Sequence, residues 1–584
     1  MPTALNIDRS ILGQPWRWRH LEADARDGLV PDDLVTQLLL ARGAPREALE
    51  EHRLPSIRGF MPDPSIFRDM DRAAERLADA VQARETVAIF GDYDVDGATS
   101  AALLLLVLRD LGIEARAYIP DRLTEGYGPS APAMARLAAE GASLIVTVDC
   151  GAQAFEPLAH ARDIGVAVIV VDHHQCGSTL PHAHSVVNPN RLDEGEGAAH
   201  GHLAAVGIVW LLAAALVRTL RGRGFFAGRA EPRLLDRLDL VALGTVADVA
   251  QLRGLNRAFV AQGLKVMARR RHIGLAALAE ASRLTRAPTC TDLGFALGPR
   301  INAGGRVGRA DLGVRLLTTT DPIEARALAE ELDRLNEERR GLEGLVQEEA
   351  DRLARDGTGA VAVAAGHGWH PGVIGIVAGR LKEALGRPAI VIALGEDGIG
   401  KGSGRSITGV DLGKAVLAAR EQGLLEAGGG HAMAAGLTIR ADKVAEFAAW
   451  LDAKLADAVA RASAARALLL DTMVAPSGVN PLLVDALEAG GPYGAGWPSP
   501  RVAAGPVRVV KADVVGNGHV RAIVAGDDGR SLKAMAFRHA DTPLGQALLG
   551  ASHRRLWLAG RAKLDDWGSR PAAELHVDDA AWAD

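Results

Sequence analysis

Three apolar runs in this sequence each end in acids or histidines, and that repetition constrains the fold more than any other feature. Val87-Ala88-Ile89-Phe90 leads into Gly91-Asp92-Tyr93-Asp94-Val95-Asp96-Gly97, Leu144–Val148 into Asp149-Cys150-Gly151, and Val166–Val171 into Asp172-His173-His174. The runs read as buried strands, and helical stretches over 98–111, 130–140 and 155–164 lie between and around them. Strands alternating with helices imply a parallel sheet covered on both faces. All strands of such a sheet present their carboxyl ends on one edge, where ligands bind. Residues distant in sequence therefore converge on one crevice. Val186-Val187 adds a short strand ending in Asn188-Pro189, and a helical stretch over 234–243 brings a further acid, Asp248.

Packing does not need three acids in the first loop, because desolvating one unpaired carboxylate costs several kcal/mol, roughly. A solvated acidic turn is the plain reading of one such loop. A calcium loop of EF-hand type needs Glu at its twelfth position, which counted from Asp92 is Leu103, so that reading fails. A hydrolytic site for divalent metal needs acids and histidines elsewhere, and the other strand ends supply them. Carboxylates with imidazole suit manganese, or magnesium with more water. Several shared acids can hold two ions about 3.5–4 Å apart, an arrangement suited to phosphoester hydrolysis.

The formal net charge of -6 over 584 residues argues against a whole-molecule grip on nucleic acid, so such a partner must meet a local basic surface. Cys150, Cys176 and Cys290 form neither a zinc pattern nor a disulfide framework, which fits a reducing cytoplasm. No signal-peptide segment is read at the N-terminus. The longest apolar stretches, 101–108 and 203–217, read as too short or too interrupted to span a bilayer.

The expected organisation is an N-terminal helical extension over 1–60, the α/β domain with its parallel sheet over 61–260, and a connecting helical region over 261–356. A second α/β lobe over 357–460 and a small β-barrel over 466–584 complete it. Short helices of the extension are expected to pack on the main domain. Arg300-Ile301-Asn302-Ala303-Gly304-Gly305-Arg306 reads as a glycine turn flanked by arginines that could approach phosphate. Residues 322–355 read as a long bridging helix with Leu328, Leu332, Leu335, Leu342 and Leu345 as its apolar stripe. Gly402-Ser403-Gly404-Arg405-Ser406 and Gly428-Gly429-Gly430-His431 read as glycine-rich turns exposing N–H groups to anions. Five strands over 507–576 suit an OB-type barrel, where Lys511, Arg521, Lys533 and Arg538 offer charge and Phe537 and Trp557 read as core.

The motifs GDYDVDG, TVDCG, VDHH and GTVADV, in this order, resemble the DHH phosphoesterase superfamily. PDRLTEGYG, RINAGGRVG, GWHPGVIGIVAGRL, GSGRS, GGGHAMAAG and GPYGAGWPSP resemble its RecJ branch, the single-strand-specific DNA exonucleases. The resemblance implies DHH, DHHA1 and OB domains. It implies that Asp92 and Asp149 bind one metal, and that Asp94, Asp149, His173 and Asp248 bind the other. His174 would face the scissile phosphate, with Asp172 orienting the histidines. Arg122, Tyr127, Arg300, Asn302, Arg306, His370, Arg405, Ser406, Gly429, Gly430 and His431 are the candidate substrate-binding residues. Many relatives carry His where Phe90 stands, which leaves one ion a thinner protein shell. Asp96 has no matched ligand role and is expected to brace the turn or cap the following helix.

The expected activity is 5′→3′ hydrolysis of single-stranded DNA with two Mn2+ or Mg2+ ions, in recombination and in DNA repair including mismatch repair. The expected partners are single-strand-binding protein and a helicase, the chain being a cytoplasmic monomer without a membrane. Two alternatives stand beside this. One is an oligoribonuclease or cyclic-dinucleotide phosphodiesterase with the same metal core, which the tail and PDRLTEGYG argue against. The other is a non-catalytic replication scaffold, which the intact acid and histidine set argues against.

Overall fold

The computed structural model describes residues 3–19, 33–122, 124–355, 357, 359–551, 554–565 and 572–583. Leu123 of the PDRLTEGYG segment and residues 20–32 of the N-terminal stretch lie outside them. β1 (Trp16–Trp18) stands apart from the first domain and pairs with a strand near the C-terminal barrel. The first sheet comprises β2 (Val87–Gly91), β3 (Arg116–Tyr118), β4 (Leu144–Val148), β5 (Ala167–Val171) and β6 (Ser185–Val187), in the order β3-β2-β4-β5-β6 and all parallel. The three acid-bearing strands are thus neighbours, as the sequence predicts.

Helices cover both faces. α1 (Met70–Ala83), α2 (Val95–Asp110), α5 (Ala205–Gly222) and α6 (Leu238–Ala247) share one core, in which Val87, Ile89 and Val146 face them. α3 (Ala131–Ala139) and α4 (Phe155–Asp163) cover Ala88, Phe90, Ile145 and Val168 on the other face. α2 is apolar nearly all round and correspondingly buried. Among the described residues, α5 is the one helix long and apolar enough to cross a bilayer; it exceeds the stretch read from sequence, and its side chains fill the domain core.

Beyond α7 (Gly254–Met267), a π-helical segment, Leu293–Leu297, runs directly into α8 (Gly298–Val307). The expected glycine turn at 300–306 is therefore helix. Its glycines serve close packing: a Cβ on Gly305 would lie 2.6 Å from Tyr93 O, and one on Gly304 3.0 Å from Arg309 O. α9 (Pro322–Arg355) is the predicted bridge. Leu328, Leu332 and Leu335 enter the first core, while Leu342, Val346, Ala350 and Ala354 join the core of the second lobe. Leu345 is 70% exposed, because the face continues through the i+4 ladder from Leu342 to Val346 and leaves Leu345 on its flank.

The second lobe is a five-stranded sheet of β7 (Ala362–His367), β8 (Ala389–Leu394), β9 (Ile399–Arg405), β10 (Ala427–His431) and β11 (Ala434–Arg440), in the order β10-β11-β9-β8-β7. α10 (Ile374–Leu385), α11 (Leu412–Glu421) and α12 (Val444–Ala464) pack on it. Both expected glycine turns are strands. A Cβ on Gly402 would meet Leu437 at 2.5 Å and one on Gly404 would meet Leu412 at 2.7 Å, so alternate glycines of β9 admit neighbouring side chains.

β12 (Leu468–Leu470) is the partner of β1. β13 (Thr472–Val474) leads through a loop to β14 (Val502–Val515), β15 (His519–Ala525), β16 (Ser531–Ala536), β17 (Arg555–Asp565) and β18 (Ala572–Trp582). β14 pairs with both β15 and β17, closing the five-stranded barrel read from the sequence. Phe537 departs from its expected core place and is 44% exposed. The residues around Trp16 pack on this barrel, where Trp16 Nε1 donates to Asp579 at 3.1 Å, and not on the first domain.

Candidate metal centre and the cleft it faces

At the carboxyl edge of the first sheet the chain leaves β2, β4 and β5 in three tight turns. Gly97 is required because a Cβ there would collide with Asp92 O. Asp149 adopts a left-handed φ of 61°, which a non-glycine residue seldom does outside functional turns. Asp92, Asp94 and Asp149 offer oxygens within 4.8 Å of one another; so do Asp149, His173 and His174, and also Asp96, His173 and Asp248. His173 Nε2 lies 3.2 Å from Asp149 Oδ1. Neither atom has a hydrogen-bond partner among the described residues, and neither does the buried Asp92 Oδ1. Three orphaned lone-pair atoms aimed at one space, from carboxylates and imidazole without a thiolate, are the donor set that a divalent ion fits.

The electrostatics agree. Burial, reinforced by the charges of neighbouring aspartates, pushes the Asp92, Asp149 and Asp248 carboxyls well above their ordinary range. So many buried acids lack a cation among the described side chains. Burial, helped by the neighbouring His174, lowers His173 to about 4, so its imidazole is neutral and able to act as a ligand. His174 goes the other way. Burial opposes its charge, but the 2.7 Å contact with Asp172 raises it to about 9. Asp172 is buried, yet the His174 hydrogen bond holds its carboxyl down at about 2. It also accepts from the N–H groups of Ala152, His173 and His174, so it ties two loops together.

Asp94 caps α2, accepting from Gly97 N at 3.0 Å. Asp96 does not cap that helix. Its oxygens accept from Ala205 N and Val206 N at 2.7 and 2.9 Å and so cap α5. Phe90 stacks on Tyr118, ring centroids 5.4 Å apart, in the apolar layer beneath α3 and α4. Sequence reasoning missed Asn188 and Asn190, which donate to the carbonyls of His174 and His173 at 2.9 and 2.6 Å and fix that loop. Their signal was the Asn-Pro-Asn that ends β6. It missed Tyr93 as well, whose ring carries the Arg122 guanidinium at 5.1 Å.

The second lobe faces this cluster. Arg306 donates to Gly372 O at 2.8 Å across the lobes. Burial lowers Arg306 to about 10, and the charges of Arg122 and Arg405 add to that. Arg122 acts likewise on Arg405 and His370, and Arg405 acts on His431. Cations from both lobes thus crowd opposite the acids. Tyr127 Oη is 3.3 Å from His174 Nδ1 and from Asp149 O. Gly429 and Gly430 lie on β10 beside His431. Three candidates point elsewhere or are engaged. Arg300 pairs with Asp333 at 2.8 Å, Ser406 is buried and donates to Val410 O at 2.7 Å, and Asn302 is half-buried on α8.

Comparison with known proteins then decides the family. The DHH family N-terminal domain matches residues 86–245, the DHHA1 domain residues 357–457 and the RecJ OB domain residues 470–579. The single-stranded-DNA-specific exonuclease RecJ of Dickeya dadantii is 39% identical over 574 residues, covering 94% of this chain and 96% of that protein. The chain belongs to the RecJ family. The Escherichia coli RecJ is 38% identical, covering 88% of this chain and 90% of its own. Among solved structures, RecJ of Thermus thermophilus in complex with Mn2+ superposes with a TM-score of 0.78 at 30% identity, covering 97% of this chain and 79% of that one. RecJ membership accounts for the three-part architecture around one acidic cluster and the cleft beside it.

Proposed function

We infer that this chain is a metal-dependent exonuclease that hydrolyses single-stranded DNA from its 5′ end. The observation that carries the inference is the set of orphaned donors on Asp92, Asp149 and His173 facing the arginines of both lobes, in a chain that matches RecJ enzymes over nearly its whole length. Asp92 and Asp149 would hold one divalent ion, Mn2+ or Mg2+, and Asp94, Asp149, His173 and Asp248 a second, with Asp149 shared. Such ions, when bound, supply an acidified water and charge for the phosphoryl oxygens. His174, kept protonated by Asp172, places a positive charge and a proton donor beside the reacting phosphate. Arg122, Arg306, Arg405, His370 and His431 would hold the strand's phosphates, Arg306 from a cleft wall that both lobes build. A cleft too narrow for a duplex would account for single-strand preference.

The same reading makes the protein a cytoplasmic monomer serving recombination and repair, with single-strand-binding protein and a helicase as partners. Its Cys150, Cys176 and Cys290 are all free thiols. End-labelled single-stranded DNA, duplex DNA and RNA, digested with Mn2+ or with EDTA, test the activity. Loss of nucleotides from the 5′ end of single-stranded DNA alone, abolished by EDTA and by Asp149→Ala, is the expected result. Equal cleavage of dinucleotides and long strands would instead mark an oligonucleotidase.

A further inference from the structure

Two residues beside the metal centre break the rules that the rest of the domain obeys. Phe295 is 83% exposed, although its neighbours Leu293 and Leu297 are fully buried. It stands in the π-helical segment, whose wider turn rotates it out of the packed face, and such segments concentrate at functional sites. Val249 is 71% exposed and carries a left-handed φ of 60°, an outlier for a β-branched residue. It follows Asp248 directly. Solvating one large apolar side chain is ordinary; pairing it with backbone strain at the rim of a cluster of acids is not.

The two positions are close. A Cβ on Gly294 would lie 3.7 Å from Val246, and one on Gly298 would lie 3.2 Å from Ala247 and 3.9 Å from Val95, the residue after Asp94. Phe295 and Val249 therefore flank the same end of α6, beside the metal centre. From there the chain reaches the barrel side at once: Leu252 N donates to Ala495 O at 2.7 Å, in the loop that enters β14. The pair occupies the strip between the acids and the barrel.

We propose that Phe295 and Val249 form an apolar lip on which a base of the single strand stacks on its way between the barrel and the metal centre. This rests on the exonuclease reading given above and names residues that hold its substrate. The occupant is a nucleobase because the strip continues from the phosphate-handling site, and a strand whose phosphates turn toward the arginines leaves its bases free to stack. An aromatic face takes any base, so the lip would grip without reading sequence. It would hold the part of the strand beyond the scissile bond, which a 5′ exonuclease must re-seat after each cut.

The test uses the full chain with Mn2+ on a twenty-nucleotide strand, intact or carrying abasic positions near the 5′ end. Phe295→Ala is expected to raise KM on the intact strand about ten-fold, the size of one lost stack, with the loss falling on KM rather than kcat. Phe295→Tyr should restore it. On the abasic strand the wild-type chain should already show the raised KM, and Phe295→Ala should add nothing. An unchanged KM for Phe295→Ala, or an equal loss on intact and abasic strands, overturns the proposal. So would failure of Phe295→Tyr to rescue with its thermal unfolding unchanged. A wild-type chain that leaves the intact strand uncut would instead sink the exonuclease reading.

Discussion

A carboxylate held in left-handed backbone among other buried acids works against folding, and Asp149 is such a residue. Its neighbours Asp92 and Asp248 are raised for the same reasons, burial first and like charge second. Removing the charge while keeping the shape should therefore stabilise the metal-free chain and remove its response to metal. Asp149→Asn is expected to raise the unfolding temperature in EDTA by a few degrees, at about 2–4 °C per kcal/mol for domains of this size. The upward shift that Mn2+ gives the wild type should vanish, along with the nuclease activity. Scanning calorimetry with and without Mn2+ checks this, and a lower unfolding temperature for the variant in EDTA would contradict the like-charge account. Asp172 differs, since its carboxylate is satisfied by His174 and three N–H groups. Asp172→Ala should leave those donors unpaired and cost about 2–4 kcal/mol, read as a lower denaturant midpoint.

At the scale of elements, glycine and histidine placements decide how closely helices meet the site. α8 crosses the first acidic loop at Gly305, where a methyl group would press 2.6 Å from Tyr93 O. Gly305→Ala should cost about 1–3 kcal/mol by overpacking. The loop moves with the helix, so turnover should fall about 10–100-fold while Mn2+ still binds; turnover at the wild-type level would show that the loop yields freely. His272 shows a pH effect away from the metal centre. It caps the helix Ile273–Ala281, its Nδ1 accepting from Leu275 N at 3.2 Å, and burial lowers it to about 4. The unfolded chain therefore binds this proton first as pH falls below the ordinary histidine value of about 6.5. Its contribution is complete above that value and is lost as pH falls toward 4. His272→Asn keeps a capping acceptor and removes the titration, so the variant's unfolding free energy should fall less steeply between those limits. An unchanged slope in denaturant titrations at each pH would discount the residue. The sequence made β2, β4 and β5 legible because short apolar runs closed by acids carry both their type and their position. It misassigned 300–306, 402–406 and 428–431 as turns because glycine signals a turn and a close contact alike. Only the partner surfaces, Tyr93 O, Leu437 and Leu412, distinguish them. Asp96 was illegible for a similar reason: the helix it caps begins at Ala205, far along the chain.

The whole molecule depends on how the barrel is fastened to the metal-bearing domain, and one arginine makes much of that joint. Arg257, in α7, has no solvent exposure. Its guanidinium donates to the carbonyls of Gly490, Gly491 and Pro492 at 2.9, 2.6 and 3.0 Å, and to His52 O at 3.1 Å. It also lies over the Trp497 ring at 4.3 Å, and Trp497 Nε1 donates to Gly490 O at 3.0 Å. One side chain thus clasps the N-terminal helices, the metal-bearing domain and the loop before β14. A second fastening joins the N-terminal segment to the barrel side, where Asp471 accepts from Arg19 at 3.1 Å and pairs with Arg42 at 2.8 Å. Arg257→Met keeps much of the volume against Trp497 and leaves four carbonyls without their donor. The expected cost is about 2–4 kcal/mol, spent locally, because each domain keeps its own core. Hydrogen exchange should therefore quicken across 486–500 and in α7, while β2, β4 and β5 stay protected. If the barrel feeds the strand to the acids, loosening it should weaken binding of long single strands and hardly touch hydrolysis of a dinucleotide that fits within the metal centre. Protection over 486–500 equal to the wild type would show that other contacts hold the joint. A matched loss on long and short substrates would show that Arg257 supports the metal centre itself, and that the barrel's position does not govern access to it.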